Sequence, residues 1–259
     1  MSGAADWLAP DWPRRGVGAL MTTRTGGGSR GRYATMNVGT AVGDDDRDVA
    51  ANRAILAAAM DARPVFLRQV HGTRAVRVAA VDAEPGAPVH EADAAVTSER
   101  GIACVVQAAD CLPILLAAAD GRAVGAAHAG WRGLATGVIA RAVEAVCEAG
   151  SCAPDEIVAW LGPCIGPAAF EVGADVLLAC GVSPSDPVAS SQGRFRPGAM
   201  AQKWLADLPG LARDRLAVAG VRQVSGGGWC TVAEPSRFFS FRRDGVTGRM
   251  AAAVWIDRP

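Results

Sequence analysis

The stretch ADCLPILLAAADGRAVGAAHAGWRG occupies residues 109–133, and its reading decides the fold. Two runs of small and branched apolar residues flank Asp120-Gly121, a dipeptide that favours the tight turn of a β-hairpin. A two-residue loop there pairs Ala119 with Arg122. Counting back from that pair sets Pro113 opposite His128. Cys111, two residues before Pro113, lies on the same face of the sheet as a diagonal neighbour of His128, with Cα atoms roughly 7–8 Å apart. A slip of one residue would turn every one of these side chains to the other face. Pro113 cannot donate to the ladder, and a bulge there would bring Cys111 closer to His128.

Working outward, VFLRQVHGTRAVRVAAV (65–81) reads as two strands around a His71-Gly72 bend. His71 therefore also ends an apolar strand beside a turn. Two histidines and a thiol so placed make an open three-ligand metal site, with the fourth position left for water or substrate. His90, in the polar stretch EPGAPVHEAD (84–93), reads as a surface histidine. Elsewhere the patterns predict an irregular entry into a first strand over 1–20 and a long ordered Gly-rich loop over 21–39. Helices are expected over 44–60, 133–150, around 172–180, and over 204–220 despite Pro209. Strands are expected over 92–98, three within 101–130, and over 156–166. A closing hairpin is expected over 237–256, with Asp244-Gly245 near its turn. Strands and helices alternate without repeat or linker. The expected class is therefore α/β (α+β), a layered sandwich of mixed β-sheets covered by helices, as a single domain over 1–259.

Composition narrows the function. Lys+Arg and Asp+Glu each number 26, so no net field favours nucleic acid or an anionic membrane. Half the residues are hydrophobic but no apolar run is long enough to span a bilayer. The N-terminus lacks the pattern of a signal peptide, and the seven cysteines form no CxxC pair, so a cytoplasmic protein with reduced thiols is expected. A monomer or weak homo-oligomer is expected.

RQVHG (68–72), AADCLPILL (108–116), HAGWRG (128–133), LGPCIGPAAFEV (161–172) and FFSFRRDGVTGRMA (238–251) together resemble the YfiH, or multicopper polyphenol oxidase (laccase-domain), family. TTRTGGGSRGRYATMNVG (22–39) is similar to that family's N-terminal signature. The resemblance spans nearly the whole chain. It implies a zinc ion on His71, Cys111 and His128. It also implies phosphorolysis of adenosine, inosine, guanosine and 5′-methylthioadenosine, with adenosine deamination. Ala109 stands where the family usually has Thr, and Val232 where an aromatic is common.

For such chemistry Cys111 and His128 are candidate catalytic groups as well as ligands, and Asp110 is the neighbouring carboxylate for proton transfer. Arg132, at the start of the expected 133–150 helix, suits an anion. Arg24, Arg68 and Arg242 are further anion candidates, and Asn37, Gln69 and Glu171 could contact sugar or base. Trp131 reads as a packing residue. Copper is a less favoured metal, because a multicopper oxidase needs more histidine than the three present. A different class is a cysteine amidase with Cys111 and His128 as nucleophile and base. It would fit the family members described as peptidoglycan-editing factors.

Overall fold

Side chains of period two along a few long strands build the layers. The computed structural model describes residues 6–12, 16–60 and 62–257. In chain order its strands are β1 (Val17–Met21), β2 (Arg63–Phe66), β3 (Ala75–Arg77), β4 (Ala94–Thr97), β5 (Ile102–Ala108), β6 (Leu112–Ala118), β7 (Val124–Ala129), β8 (Ile157–Leu161), β9 (Glu171–Val172), β10 (Phe195–Pro197), β11 (Trp204–Ala206), β12 (Gln223–Gly226) and β13 (Met250–Ile256). The helices are α1 (Asp46–Met60), α2 (Trp131–Thr136), α3 (Val138–Gly150), α4 (Ala174–Ala179), α5 (Pro187–Ser190), α6 (Leu208–Val218) and α7 (Phe241–Asp244).

One sheet has the strand order β1-β13-β5-β2, and a second has β12-β8-β6-β7-β4-β3. A small third sheet, β10-β11-β9, was not anticipated from the sequence pattern. Parallel pairs (β2 with β5, β12 with β8) and antiparallel pairs (β13 with β5, β6 with β7) make the sheets mixed, as expected.

On β5, Ala103 and Val105 join a cluster with Leu56 and Met60 of α1, while Ile102, Cys104 and Val106 face the other sheet. On β6, Ile114 and Leu116 pack with Val143 and Val146 of α3 and Leu216 of α6, while Leu115 and Ala117 face inward between the sheets. The layers are therefore α1, the four-stranded sheet, the six-stranded sheet, and α3 with α6. Each fully buried Val, Leu or Ile contributes about 1.5–3 kcal/mol against exposure.

Several elements differ from the sequence reading. The helix expected over 133–150 starts at Trp131 and breaks at Gly137, whose φ of 109° is left-handed and opens to αL only without a Cβ. The 204–220 stretch divides into β11 and α6, because Pro209 sits in the first turn of α6 and Asp207 caps it by accepting from Gly210 N–H. The closing hairpin does not form. Ser240 caps α7, Gly245 ends it with φ 70°, and β13 pairs instead with β1 and β5. The strands flanking His71 belong to different sheets: β2 to the four-stranded one and β3 to the six-stranded one. Among the described residues no helix is long and apolar enough to cross a membrane.

Candidate metal centre and cleft

Pro113 pairs with His128 across β6 and β7, the register that the Asp120-Gly121 turn predicts. The loop is longer than two residues, since Ala118 N–H bonds Ala123 O and Gly121 N–H bonds Ala118 O, but the frame is unchanged. On the other side of β7, Ala94 of β4 pairs with Ala127, which sets Asp93 beside His128. Pro113, His128 and Asp93 alternate in phase with Leu115, Ala126 and Ala95, which face the other sheet. The centre therefore sits at the mouth of the inter-sheet space.

His71, Cys111 and His128 each offer one ligand atom, and these atoms lie within 4.8 Å of one another. Cys111 Sγ is 3.7 Å from His71 Nε2. The two imidazole rings meet edge to face, with centroids 4.8 Å apart. Two ligands on a tetrahedral zinc, with Zn–S about 2.3 Å and Zn–N about 2.0 Å, stand about 3.5 Å apart. Donor types and spacing fit a metal ion.

Asp93 organises this set, and sequence reasoning missed it. Its carboxylate accepts from His128 Nδ1 at 2.8 Å, which leaves His128 Nε2 for a metal. It also accepts the backbone N–H groups of Val70 (3.2 Å), His71 (2.9 Å) and Gly72 (2.7 Å). These bonds hold His71 at φ 60°, a left-handed conformation rare outside glycine. The only signal in the sequence was an acid at the edge of the small apolar run ADAAVTS. Burial pushes the Asp93 carboxyl up, but the bonds from His128, Gly72 and Val70 hold it below its ordinary value.

The same balance governs the ligands. Burial pushes the Cys111 thiol up, yet His128 and His71 outweigh it and bring the thiol down to about 6. Burial pushes His128 down, yet Cys111 and Asp93 outweigh it and raise the imidazole to about 9. Without a metal this is a thiolate beside an imidazolium. A metal ion held there would take the place of the imidazolium proton. Gly130 leaves room for the pair: a Cβ there would fall 2.8 Å from His71 Cδ2 and 2.9 Å from Cys111 Sγ.

The other candidates divide. Asp110, at φ 93°, accepts from Thr231 Oγ1 at 2.5 Å and from Arg242 N–H at 2.6 Å. Arg242 Nη1 in turn donates to Glu171 O at 2.9 Å, so Asp110, Arg242 and Glu171 form one chain of contacts leading from Cys111. Gln69 instead pairs its side-chain amide with the N–H and C=O of Gln107, tying the His71 loop to β5. Asn37 is fully buried. Its amide donates to Gly39 O and Asp44 Oδ2, and its carbonyl accepts from Gly39 and Arg249 N–H, so no valence is left for a ligand. Arg24 bonds Ala34 O and Pro235 O, and Arg68 pairs with Glu91. His90 pairs with Asp82 and stands outside the ligand set, as expected.

Arg132 is exposed, with its guanidinium 4.3 Å over the Trp131 ring, and Trp131 packs partly buried against the core. The long helix expected behind Arg132 is the six-residue α2, so fewer aligned peptide dipoles stand behind an anion there. His71, Gly72, Trp131, Arg132 and Thr136 line a cleft of about 430 Å³. A larger apolar cleft of about 670 Å³, between α3 and α6, contains none of the ligand residues.

The family described as multi-copper polyphenol oxidoreductase laccase matches residues 18–257. The chain belongs to that family. Among relatives, a Pseudomonas aeruginosa protein named purine nucleoside phosphorylase is 44% identical over 251 residues, 96% of this chain and 98% of its own. The Escherichia coli protein named purine nucleoside phosphorylase YfiH is 44% identical over 252 residues, with the same coverage. A solved Neisseria meningitidis structure of the family superposes with a TM-score of 0.88 at 43% identity, covering 98% of this chain and 100% of its own. The mixed α/β layering is thus shared with solved members of the family.

Proposed function

We propose that the protein is a zinc-dependent purine nucleoside phosphorylase. Its substrates are adenosine, inosine, guanosine and 5′-methylthioadenosine, and it deaminates adenosine at the same centre. The observation that carries this reading is the convergence of His71, Cys111 and His128 beside a cleft, in a chain 44% identical to relatives bearing that name. Zinc, when bound, supplies a Lewis acid with an open coordination position.

The chain's own residues do the rest. His71, Cys111 and His128 hold the ion, and Asp93 orients both histidines. The cleft beside Trp131 and Arg132 receives the nucleoside. In phosphorolysis a phosphate oxygen bonds to the anomeric carbon and the glycosidic C–N bond breaks. The electron pair and a proton go to the purine. Asp110, next to Cys111, is the carboxylate for proton transfer, and its bonds to Thr231 and Arg242 N–H fix its position. Arg242 and Glu171 shape the substrate side of that carboxylate. The enzyme acts in the cytoplasm, where its seven free cysteines stay reduced.

The family's oxidase name does not suit this donor set. The chain has three histidines, and His90 is committed to Asp82, so too few remain for a trinuclear copper cluster and a blue-copper site together. A single copper ion on the same His₂Cys set is the less favoured metal.

A second reading is favoured by one observation. Asp93, His128 and Cys111 are ordered as orienter, base and nucleophile, with the thiol at about 6, an arrangement suited to amide hydrolysis. His71 has no role in that triad, and its 3.7 Å approach to Cys111 Sγ favours the metal. Inosine phosphorolysis and amide cleavage, each assayed with chelator and with thiol reagent, separate the two. Chelator-sensitive purine release supports the first reading, and chelator-resistant, thiol-sensitive amide cleavage the second.

A further inference from the structure

Three segments meet beside the centre: the loop around Asn37, residues 109–111, and the turn Thr247–Arg249. Arg249 N–H donates to Asn37 Oδ1 at 2.8 Å, and Arg249 O accepts from Val38 N–H at 3.1 Å. The β13–β5 pairing sets Met250 opposite Ala108, which carries Arg249 to Ala109 and so beside Asp110-Cys111. The side-chain stem is packed on Gly39, where a Cβ would fall 2.8 Å from Arg249 Cγ.

A guanidinium has five N–H donors. Two of them, on Nη1 of Arg249, go to Thr247 O at 3.0 Å and Gly248 O at 3.1 Å. Among the described residues Nε and Nη2 have no protein acceptor, and no carboxylate pairs with this half-buried cation. The nearby Cys111 and Asp110 favour the charged guanidinium from a distance, but Asp110 bonds Thr231 and Arg242 N–H rather than the Nε–Nη2 edge. In the same turn, Thr247 Oγ1 is a buried hydroxyl without a partner among the described residues. The free Nε–Nη2 edge is the side-on fork that matches two oxygens of a phosphate.

We propose that Arg249, assisted by Thr247, holds the inorganic phosphate of phosphorolysis. The assignment rests on the phosphorolysis reading. It gives the anion to a packed guanidinium rather than to the exposed Arg132. Arg249 is remote in sequence from the zinc ligands and reaches the centre only because β13 pairs with β5.

The test uses the full-length, zinc-loaded protein and inorganic phosphate, with calorimetric binding and phosphate KM at saturating inosine measured in parallel. Arg249→Gln should raise both phosphate Kd and phosphate KM about 10- to 100-fold, the loss of a charge-assisted pair of hydrogen bonds. Inosine KM and zinc content should stay within about twofold of the parent, as neither uses the fork. Arg249→Lys keeps the charge and loses the fork. It carries the same test if the Gln variant does not fold, with about a 10-fold rise expected. An unchanged phosphate KM in either folded variant, or no phosphate binding by the parent protein, overturns the assignment. If the parent releases purine while Arg249→Gln keeps its phosphate KM, the Arg249 assignment alone falls. If the parent binds phosphate through Arg249 but releases no purine, the phosphorolysis reading falls and the anion site stands.

Discussion

Asp93 Oδ1 stands 2.8 Å from His128 Nδ1, while the same carboxylate gathers the three successive N–H groups of the turn that carries His71. One buried side chain thus fixes two candidate metal ligands that are 57 positions apart in the chain numbering, His71 and His128. Asp93→Asn keeps the shape but replaces one acceptor oxygen by a donor. Zinc affinity should fall about 10- to 100-fold. Stability should fall by about 1–3 kcal/mol for the buried groups left unpaired. Chelator competition and thermal melts measure the two effects, and wild-type zinc affinity in this variant would remove Asp93 from the centre.

Gly130 is required for space rather than for backbone freedom, since its φ of −65° and ψ of 160° suit any residue. Gly130→Ala should displace His71 and Cys111, whose atoms would lie 2.8 and 2.9 Å from the new Cβ. The expected result is loss of bound zinc with a near-native circular dichroism spectrum. Full zinc occupancy would show that the ligand cradle is looser than described.

The metal-free protein should show a distinctive pH profile. Cys111, at about 6, should be alkylated with a midpoint near that value rather than near the ordinary 8.5 of a free thiol. Because its folded value is depressed, the stability it contributes is lost as pH falls through about 6. His128, raised to about 9, contributes stability that is full below its unfolded value of about 6.5 and is lost as pH rises through about 9. The pair therefore stabilises the metal-free fold most between about pH 6 and pH 9. Cys111→Ala should flatten that profile, as read by melting temperature against pH. Zinc loading should suppress alkylation across the range.

Asn37 was expected to touch substrate, yet all its hydrogen-bonding capacity is spent within the protein. Asn37→Ala should cost stability, about 1–3 kcal/mol or more. Inosine KM should change by less than about twofold at a temperature where the variant stays folded, because an internally bonded side chain has no ligand contact to lose. A large rise in inosine KM with unchanged melting temperature would return Asn37 to the substrate.

Much of the centre was legible because β-structure has a period of two. Asp120-Gly121 set the frame of the β6–β7 hairpin, and parity then put Pro113 opposite His128, with Cys111 in the bend just before β6. Asp93 was not legible, since its partnership with His128 depends on β4 lying next to β7, and sheet order is not written in local pattern. Arg249 was hidden for the same reason. Asp244-Gly245 has the chemistry of a hairpin turn, but β13 finds its partners in β1 and β5, so long-range pairing overrode local preference. Gly137 broke the expected 133–150 helix and left only the six-residue α2 behind Arg132.

The central claim is that zinc held by His71, Cys111 and His128 is required for purine release. The most direct test measures zinc content and phosphate-dependent release of hypoxanthine from inosine in the same preparations of the parent protein and Cys111→Ala. The account predicts about one zinc per chain with turnover in the parent, and neither zinc nor turnover in a folded Cys111→Ala protein. Full zinc content in Cys111→Ala, or undiminished turnover by parent protein stripped of metal, would contradict it.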